Sequence, residues 1–173
     1  DHHLSLNDAL PISRDFFGIK PFYYAVVDGQ LVFASEIKSI LMYTPYKKKM
    51  NKDALENYLT FQYSVLPETF FKGIYKLMPS HSITFENGKV DIKRYWEPVF
   101  EPDENTGLNE LVDKIDNAMQ DSIKKHKISD VEVGSFLSSG VDSSYVAACF
   151  KGDKTFTVGF DYEKYNEIDY AKA

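Results

Sequence analysis

The chain has 173 residues, a net charge of -6 at pH 7, 43% hydrophobic residues and 27% charged residues. That balance supports a packed core in one domain or in parts of two, and it excludes wholesale disorder and the basic footprint of a general nucleic-acid binder. No apolar run approaches the ~20 residues of a membrane helix, and Cys149, the only cysteine, excludes an internal disulfide and a cysteine-based zinc cluster and suits a reducing, cytoplasmic compartment.

The opening "DHHLSLNDALPI" has neither helical nor strand periodicity. His2 and His3 are neighbours, so in either regular structure they point apart, which argues against a shared metal. From Phe22 the pattern changes: "FYYAVVDGQLVFAS" joins two apolar runs at Asp28-Gly29, a hairpin signal, because glycine tolerates the positive φ of a tight turn. A helix is expected over Glu36–Met42, with Ile37, Ile40 and Leu41 on one face. Pro45 and the solvated run Lys47–Lys49 break it, and Asn51 is expected to cap a second helix carrying Ala54, Leu55, Tyr58 and Leu59. "HSITFENGKVDIKRYW" reads as a second hairpin turning at Asn87-Gly88.

"EPVFEPDENTGLN" reads as a linker and places a domain boundary between Glu97 and Gly107. Beyond it, Leu108, Leu111, Val112, Ile115, Met119 and Ile123 recur at helical spacing, and "KKHK" sets cations at the negative end of the dipole. "VEVGSFL" then reads as a buried strand, "DSSYVAACF" as a helix with Cys149 in its apolar stretch as a core residue, "KTFTVGF" as a strand, and "NEIDYAKA" as the start of another helix. Such alternation implies a parallel sheet with covering helices.

"SFLSSGVDSSYVAACF" is therefore the turn from a strand into a helix of a parallel α/β unit, where ligands sit at the carboxyl ends of strands. The helix start offers free N–H groups to phosphate, Gly140 permits close backbone approach, and Asp142 could hold a magnesium ion bridging phosphates. The alternative is a plain helix cap by Asp142 or Ser139. The stretch lacks the Gly-Lys-Ser/Thr ending of a Walker loop, and it has too few glycines for a dinucleotide fingerprint.

"LSSGVDSS" resembles the pyrophosphate-binding loop of N-type ATP pyrophosphatases, usually Ser-Gly-Gly-x-Asp-Ser, with Ser139 in place of the first glycine. Serine fits there if its φ is negative; otherwise strain relief would offset the lost hydroxyl in a Ser139→Gly variant. Upstream, "SRDFFGIKPFYY", "LVFASEIKSIL" and "KGIYKLMPSHSITFENGKVDIKRYW" resemble the glutaminase domain of class II amidotransferases. The order of these motifs resembles glutamine-hydrolysing asparagine synthetase. The resemblance implies an α+β part of an N-terminal-nucleophile hydrolase sandwich over residues 13–100. An α/β, parallel-sheet, nucleotide-binding part of ATP pyrophosphatase type would follow over residues 101–173.

It further implies that ATP and Mg2+ are used, that aspartate is activated as aspartyl-AMP, and that ammonia from glutamine displaces AMP. By the same resemblance, Ser138, Ser139, Gly140, Asp142, Ser143 and Ser144 contact the phosphates, Val141 belongs to the same loop, and Asp142 is the magnesium ligand. Leu137 and Val158 would flank the adenine or ribose, or else be plain core residues. The partners expected are these small molecules, with no nucleic acid, no membrane and a homodimer as the assembly.

The family's glutaminase nucleophile is an N-terminal cysteine. The chain begins instead with Asp1, so it is expected to be a fragment inactive by itself, with residues 1–12 a leader foreign to the gene. The competing readings are a β-lactam-forming synthetase built from the same two domains, and a non-catalytic nucleotide-binding module.

Overall fold

Two tight turns shape the first part of the chain. Asp28 and Gly29 have φ of 49° and 75°, and Asn87 and Gly88 have φ of 51° and 75°, the left-handed pairs that a two-residue hairpin of matching twist demands. In the computed structural model, which describes residues 10–64, 66–152, 154–160 and 168–172, these turns close the two hairpins expected from the sequence. The chain divides into two compact units, Asp1–Phe100 and Glu101–Ala173.

In the first unit, β1 (Leu10–Ser13), β5 (His81–Glu86) and β6 (Lys89–Arg94) form one antiparallel sheet in the order β1-β5-β6. β2 (Tyr23–Val27), β3 (Gln30–Ala34) and β4 (Ile74–Lys76) form another in the order β3-β2-β4. Tyr24 and Ala25 are consecutive and both buried, so β2 is covered on both faces. Tyr24 packs with Leu77 and Ile83 in a cluster that also gathers Ile12, Leu31 and Val90 from the two sheets. Ala25 packs with Ile74, Tyr46 and Ile40 of α1 (Ile37–Leu41), so this helix covers the other face. α2 (Lys52–Phe61) follows.

Two expectations for this unit need correction. The lack of pattern expected up to Ile12 does not hold at its end: β1 begins at Leu10 and pairs Ile12 with Ile83 of β5. Four residues containing a proline are too short to display alternation, so the strand is set by its neighbour. Residues 1–9, with His2 and His3, lie outside the described residues. Asn51 occupies the N-cap position of α2 but makes no side-chain cap; its Nδ2 donates instead to the Thr69 carbonyl at 3.2 Å. β4 has three residues and was not legible as a separate strand.

A turn between β1 and β2 is held by two charged side chains. Arg14 donates to the carbonyls of Lys20, Leu77 and Gly18 at 2.9, 2.6 and 2.8 Å. Asp15 accepts from the amides of Ile19, Lys20 and Phe17 at 2.9, 3.1 and 3.2 Å. Those amides, Ile19 first and then Lys20, hold its carboxyl below the usual range.

In the second unit, α3 (Leu108–His126) precedes β7 (Ser135–Phe136), α4 (Val141–Phe150), β8 (Thr155–Phe156) and α5 (Ile168–Lys172). β7 and β8 pair in parallel, Ser135 with Thr155 and Phe136 with Phe156, with α4 as the crossover. The strand expected over "VEVGSFL" narrows to two residues, and Phe136 is 78% exposed rather than buried. A single described neighbour, β8, leaves the rest of that segment without a ladder. Cys149 is half-buried rather than a core residue. The start of the last helix, before Ile168, lies outside the described residues.

Gly18 tests the turn. Its φ is +67°, and a Cβ there would stand 2.7 Å from Pro79 Cγ and 2.9 Å from the Arg14 guanidinium. Gly18→Ala is expected to destabilise the protein by about 2 kcal/mol or more, through backbone strain plus this crowding. Chemical denaturation with an unchanged midpoint would contradict it.

Candidate functional site

The two parallel strands end side by side. After β7, the Leu137 amide donates to the Phe156 carbonyl at 2.9 Å. After β8, the Thr157 hydroxyl donates to the Leu137 carbonyl at 2.7 Å. These bonds fix where the chain leaves the sheet, and Gly140 then begins α4 as its N-cap residue with φ -77° and ψ 152°. Thr157 was not singled out in the sequence; a threonine two residues beyond an apolar pair carries no signal until the strands are known to be neighbours.

The helix start is bare of side-chain caps. Ser144 N–H bonds the Gly140 carbonyl at 3.1 Å and so opens the intrahelical ladder, leaving the amides of Val141, Asp142 and Ser143 ahead of it. Neither Asp142 nor Ser139 caps the helix, so the plain capping alternative fails. Ser139 is absent from the described non-glycine residues with positive φ, so serine sits there without left-handed strain. The strain relief considered for a Ser139→Gly variant therefore has no source.

The hydroxyls divide into two groups. Ser143 Oγ lies 2.8 Å from Ser138 Oγ, 2.7 Å from the Ser138 carbonyl and 3.2 Å from the Ser138 amide, and it reaches the Gly140 carbonyl at 3.1 Å. Ser144 Oγ donates to the same Gly140 carbonyl at 2.9 Å. Ser139 and Asp142 are both exposed, and no bond to either side chain is found among the described residues.

Leu137 is half-buried, whereas Val141 and Val158 are 84% and 65% exposed, so neither valine is a core residue of this unit. The structure thus brings residues 137–144 together at one strand-to-helix turn and sets Val158 on the chain leaving the neighbouring strand. Among the described residues, no group of three or more histidine, cysteine or acidic side chains forms a metal cluster. Asp142 alone offers a carboxylate in this loop, which fits magnesium held jointly with ligand phosphates rather than by a protein cage.

Behind the loop, α4 is anchored to α3. The Tyr145 hydroxyl donates to the Asp116 carboxylate. Lys127 donates to the Phe150 carbonyl at 3.0 Å and stands 4.8 Å above the Phe150 ring, so a cation closes the negative end of α4.

Comparison with known proteins bears on both units. A family model described as a glutamine amidotransferase domain matches residues 5–96, and one described as asparagine synthase matches residues 114–173. The chain belongs to the glutamine-hydrolysing asparagine synthetase family. It is 39% identical over 165 residues to asparagine synthetase [glutamine-hydrolyzing] 1 of Bacillus subtilis, covering 92% of this chain and 26% of that protein. It is 35% identical over 171 residues to the putative asparagine synthetase [glutamine-hydrolyzing] 2 of Methanocaldococcus jannaschii, covering 92% and 33% respectively. Amidase chyE of Penicillium rubens is 32% identical over 140 residues, covering 78% of this chain and 20% of the amidase. The chain thus spans a third or less of the length of these curated relatives. Among the described residues, no helix is long and apolar enough to cross a membrane.

The tyrosine anchor gives a pH test. Its hydrogen bond to Asp116 and, next, burial raise the Tyr145 hydroxyl above the ordinary tyrosine value. A raised folded-state pKa contributes stability that is present below the unfolded value, about 10, and is lost as pH rises through the folded one. Tyr145→Phe is therefore expected to lower stability at neutral pH and to remove a phenol that ionises above the exposed tyrosines in an alkaline absorbance titration. A difference titration showing Tyr145 ionising with the exposed tyrosines would contradict the anchor.

Proposed function

We propose that this protein makes asparagine from aspartate, ATP and glutamine-derived ammonia, with residues 138–144 as the phosphate-binding loop of an ATP pyrophosphatase-type domain. The observation that carries the reading is the uncapped start of α4, where three backbone amides precede the helical ladder at the carboxyl end of a parallel strand. The family match supplies the anion that such a start would serve: the triphosphate of ATP. The first unit, with its two antiparallel sheets, would be part of an N-terminal-nucleophile hydrolase sandwich that releases ammonia from glutamine.

In this reading an aspartate carboxylate oxygen attacks the α-phosphorus, the bond to the β-phosphate oxygen breaks, and pyrophosphate departs. Ammonia then attacks the acyl carbon of aspartyl-AMP, loses a proton, and AMP leaves. Negative charge grows on the leaving pyrophosphate, and N–H donors fixed in advance stabilise it without reorganisation. The amides of Val141, Asp142 and Ser143 are those donors. Asp142 would hold Mg2+, which supplies charge neutralisation between the phosphates. Leu137 and Val158, at the ends of adjacent strands, would flank the adenine or ribose.

Gly140 is informative because the fold does not require glycine there. Its φ is ordinary, and a Cβ would meet only Ser138 Oγ at 3.5 Å and Ser143 Oγ at 3.9 Å. Gly140→Ala is therefore expected to fold, with a cost of about 1 kcal/mol or less, yet to weaken binding of a non-hydrolysable ATP analogue by about tenfold or more, because the added carbon occupies the approach to the amides. Unchanged analogue affinity in a titration of the full-length protein would show that phosphate does not come close here.

Asp142→Asn in the full-length protein is expected to slow aspartate-dependent pyrophosphate release by about a hundredfold while sparing glutamine hydrolysis. Release at the wild-type rate would remove Asp142 from the site, and an equal loss of glutaminase would undo the division of labour between the units.

A further inference from the structure

The parallel ladder between β7 and β8 stops short of its next rung, and a side chain stands where that rung would form. In a parallel pair, a residue gives its N–H to one carbonyl of the facing strand and takes an N–H from the residue two positions further along that strand. Ser135 gives its N–H to the Lys154 carbonyl at 3.1 Å, and Leu137 gives its N–H to the Phe156 carbonyl at 2.9 Å. In this register the donor due at the Leu137 carbonyl is the amide of Val158. That bond is absent. The Leu137 carbonyl accepts from the Thr157 hydroxyl at 2.7 Å instead, and the Val158 amide has no partner among the described residues.

Joining the two strand exits does not require this exchange, since the backbone rung would join them without any side chain. What the exchange changes is the crevice between the exits. Thr157 is half-buried and its hydroxyl is spent, whereas Val158 is 65% exposed and its N–H is unspent. Ligands of open parallel sheets enter at this end of the strands. From these observations we infer that Thr157 is a positioning residue: its hydroxyl holds the rung open, so that the Val158 amide donates to an acceptor atom of the nucleoside of ATP. The inference rests on the ATP-binding reading above and adds to it a residue that does not belong to the phosphate loop. Thr157 touches no nucleotide in this scheme; it acts through Leu137 and Val158.

The test uses the full-length protein and two ligands, α,β-methylene-ATP and inorganic tripolyphosphate, each with Mg2+. The second carries phosphates without a nucleoside. Thr157→Val removes the hydroxyl at nearly constant shape. It should weaken the ATP analogue about tenfold, the loss of about one hydrogen bond, and leave tripolyphosphate within about twofold of wild type. Thr157→Ser, which keeps the hydroxyl, should bind both ligands as the wild type does. Hydrogen–deuterium exchange resolved to single amides supplies the second readout. Without ligand, the Val158 amide should exchange fast in the wild type and several-fold more slowly in Thr157→Val, where it takes the vacated Leu137 carbonyl. In the wild type the ATP analogue should slow that amide and tripolyphosphate should not.

Slow exchange of Val158 in the unliganded wild type would overturn the open rung, whether or not Thr157→Val folds. Wild-type affinity of Thr157→Val for the ATP analogue would overturn the positioning role. Equal weakening of both ligands would overturn it too, by making Thr157 a support of the whole unit. If the wild-type protein bound neither ligand, the ATP reading itself would fall, and exchange at Val158 in the wild type and in Thr157→Val would still decide whether the hydroxyl holds the rung open.

Discussion

The parallel pairing of Ser135–Phe136 with Thr155–Phe156 is the constraint on which the second unit depends. Two parallel strands cannot be joined by a tight turn, so the chain must return through a crossover, here α4. A crossover helix that follows a strand begins at that strand's carboxyl end. Its first amides therefore emerge beside the end of the neighbouring strand, and here the Thr157 hydroxyl ties the two exits together through the Leu137 carbonyl. The hydroxyl residues of the loop hold that turn in shape, through hydrogen bonds of 2.7–3.2 Å between Ser143 and the segment Ser138–Gly140.

The first unit is governed by a different demand. β2 is covered on both faces, with Tyr24 toward one cluster and Ala25 toward the other. Its two hairpin turns are made by polar and glycine residues, and the turn after β1 is held by Arg14 and Asp15, so that the strands between them keep their register. Arg14 spends its guanidinium on three backbone carbonyls, including that of Leu77, 63 positions away, and so links the turn after β1 to the segment after β4. Charge in this unit serves architecture; no part of the proposed nucleotide chemistry draws on it.

How much of this was legible in the sequence varied with length and locality. The hairpins at Asp28-Gly29 and Asn87-Gly88 were legible because a positive φ pair has few sequence solutions. α3 was legible over its whole length because 19 residues allow helical spacing to repeat. β1 and β4 were not, since strands of four and three residues hold too few positions to show a period. β7 was read too long and too buried, because an apolar run looks alike whether or not partner strands cover it. For the loop, the sequence supplied the residues and the family resemblance supplied their meaning. Which hydroxyls are spent internally was invisible, since that depends on the fold bringing Ser143 back over Ser138, five positions earlier.

The central claim is that the bare start of α4 receives the phosphates of ATP. A crystal structure of the full-length protein with Mg2+ and α,β-methylene-ATP tests it most directly. The account predicts phosphate oxygens about 3 Å from the amides of Val141, Asp142 and Ser143, with the metal between Asp142 and the phosphates. Phosphates bound elsewhere on the protein, with these amides facing only water, would contradict it.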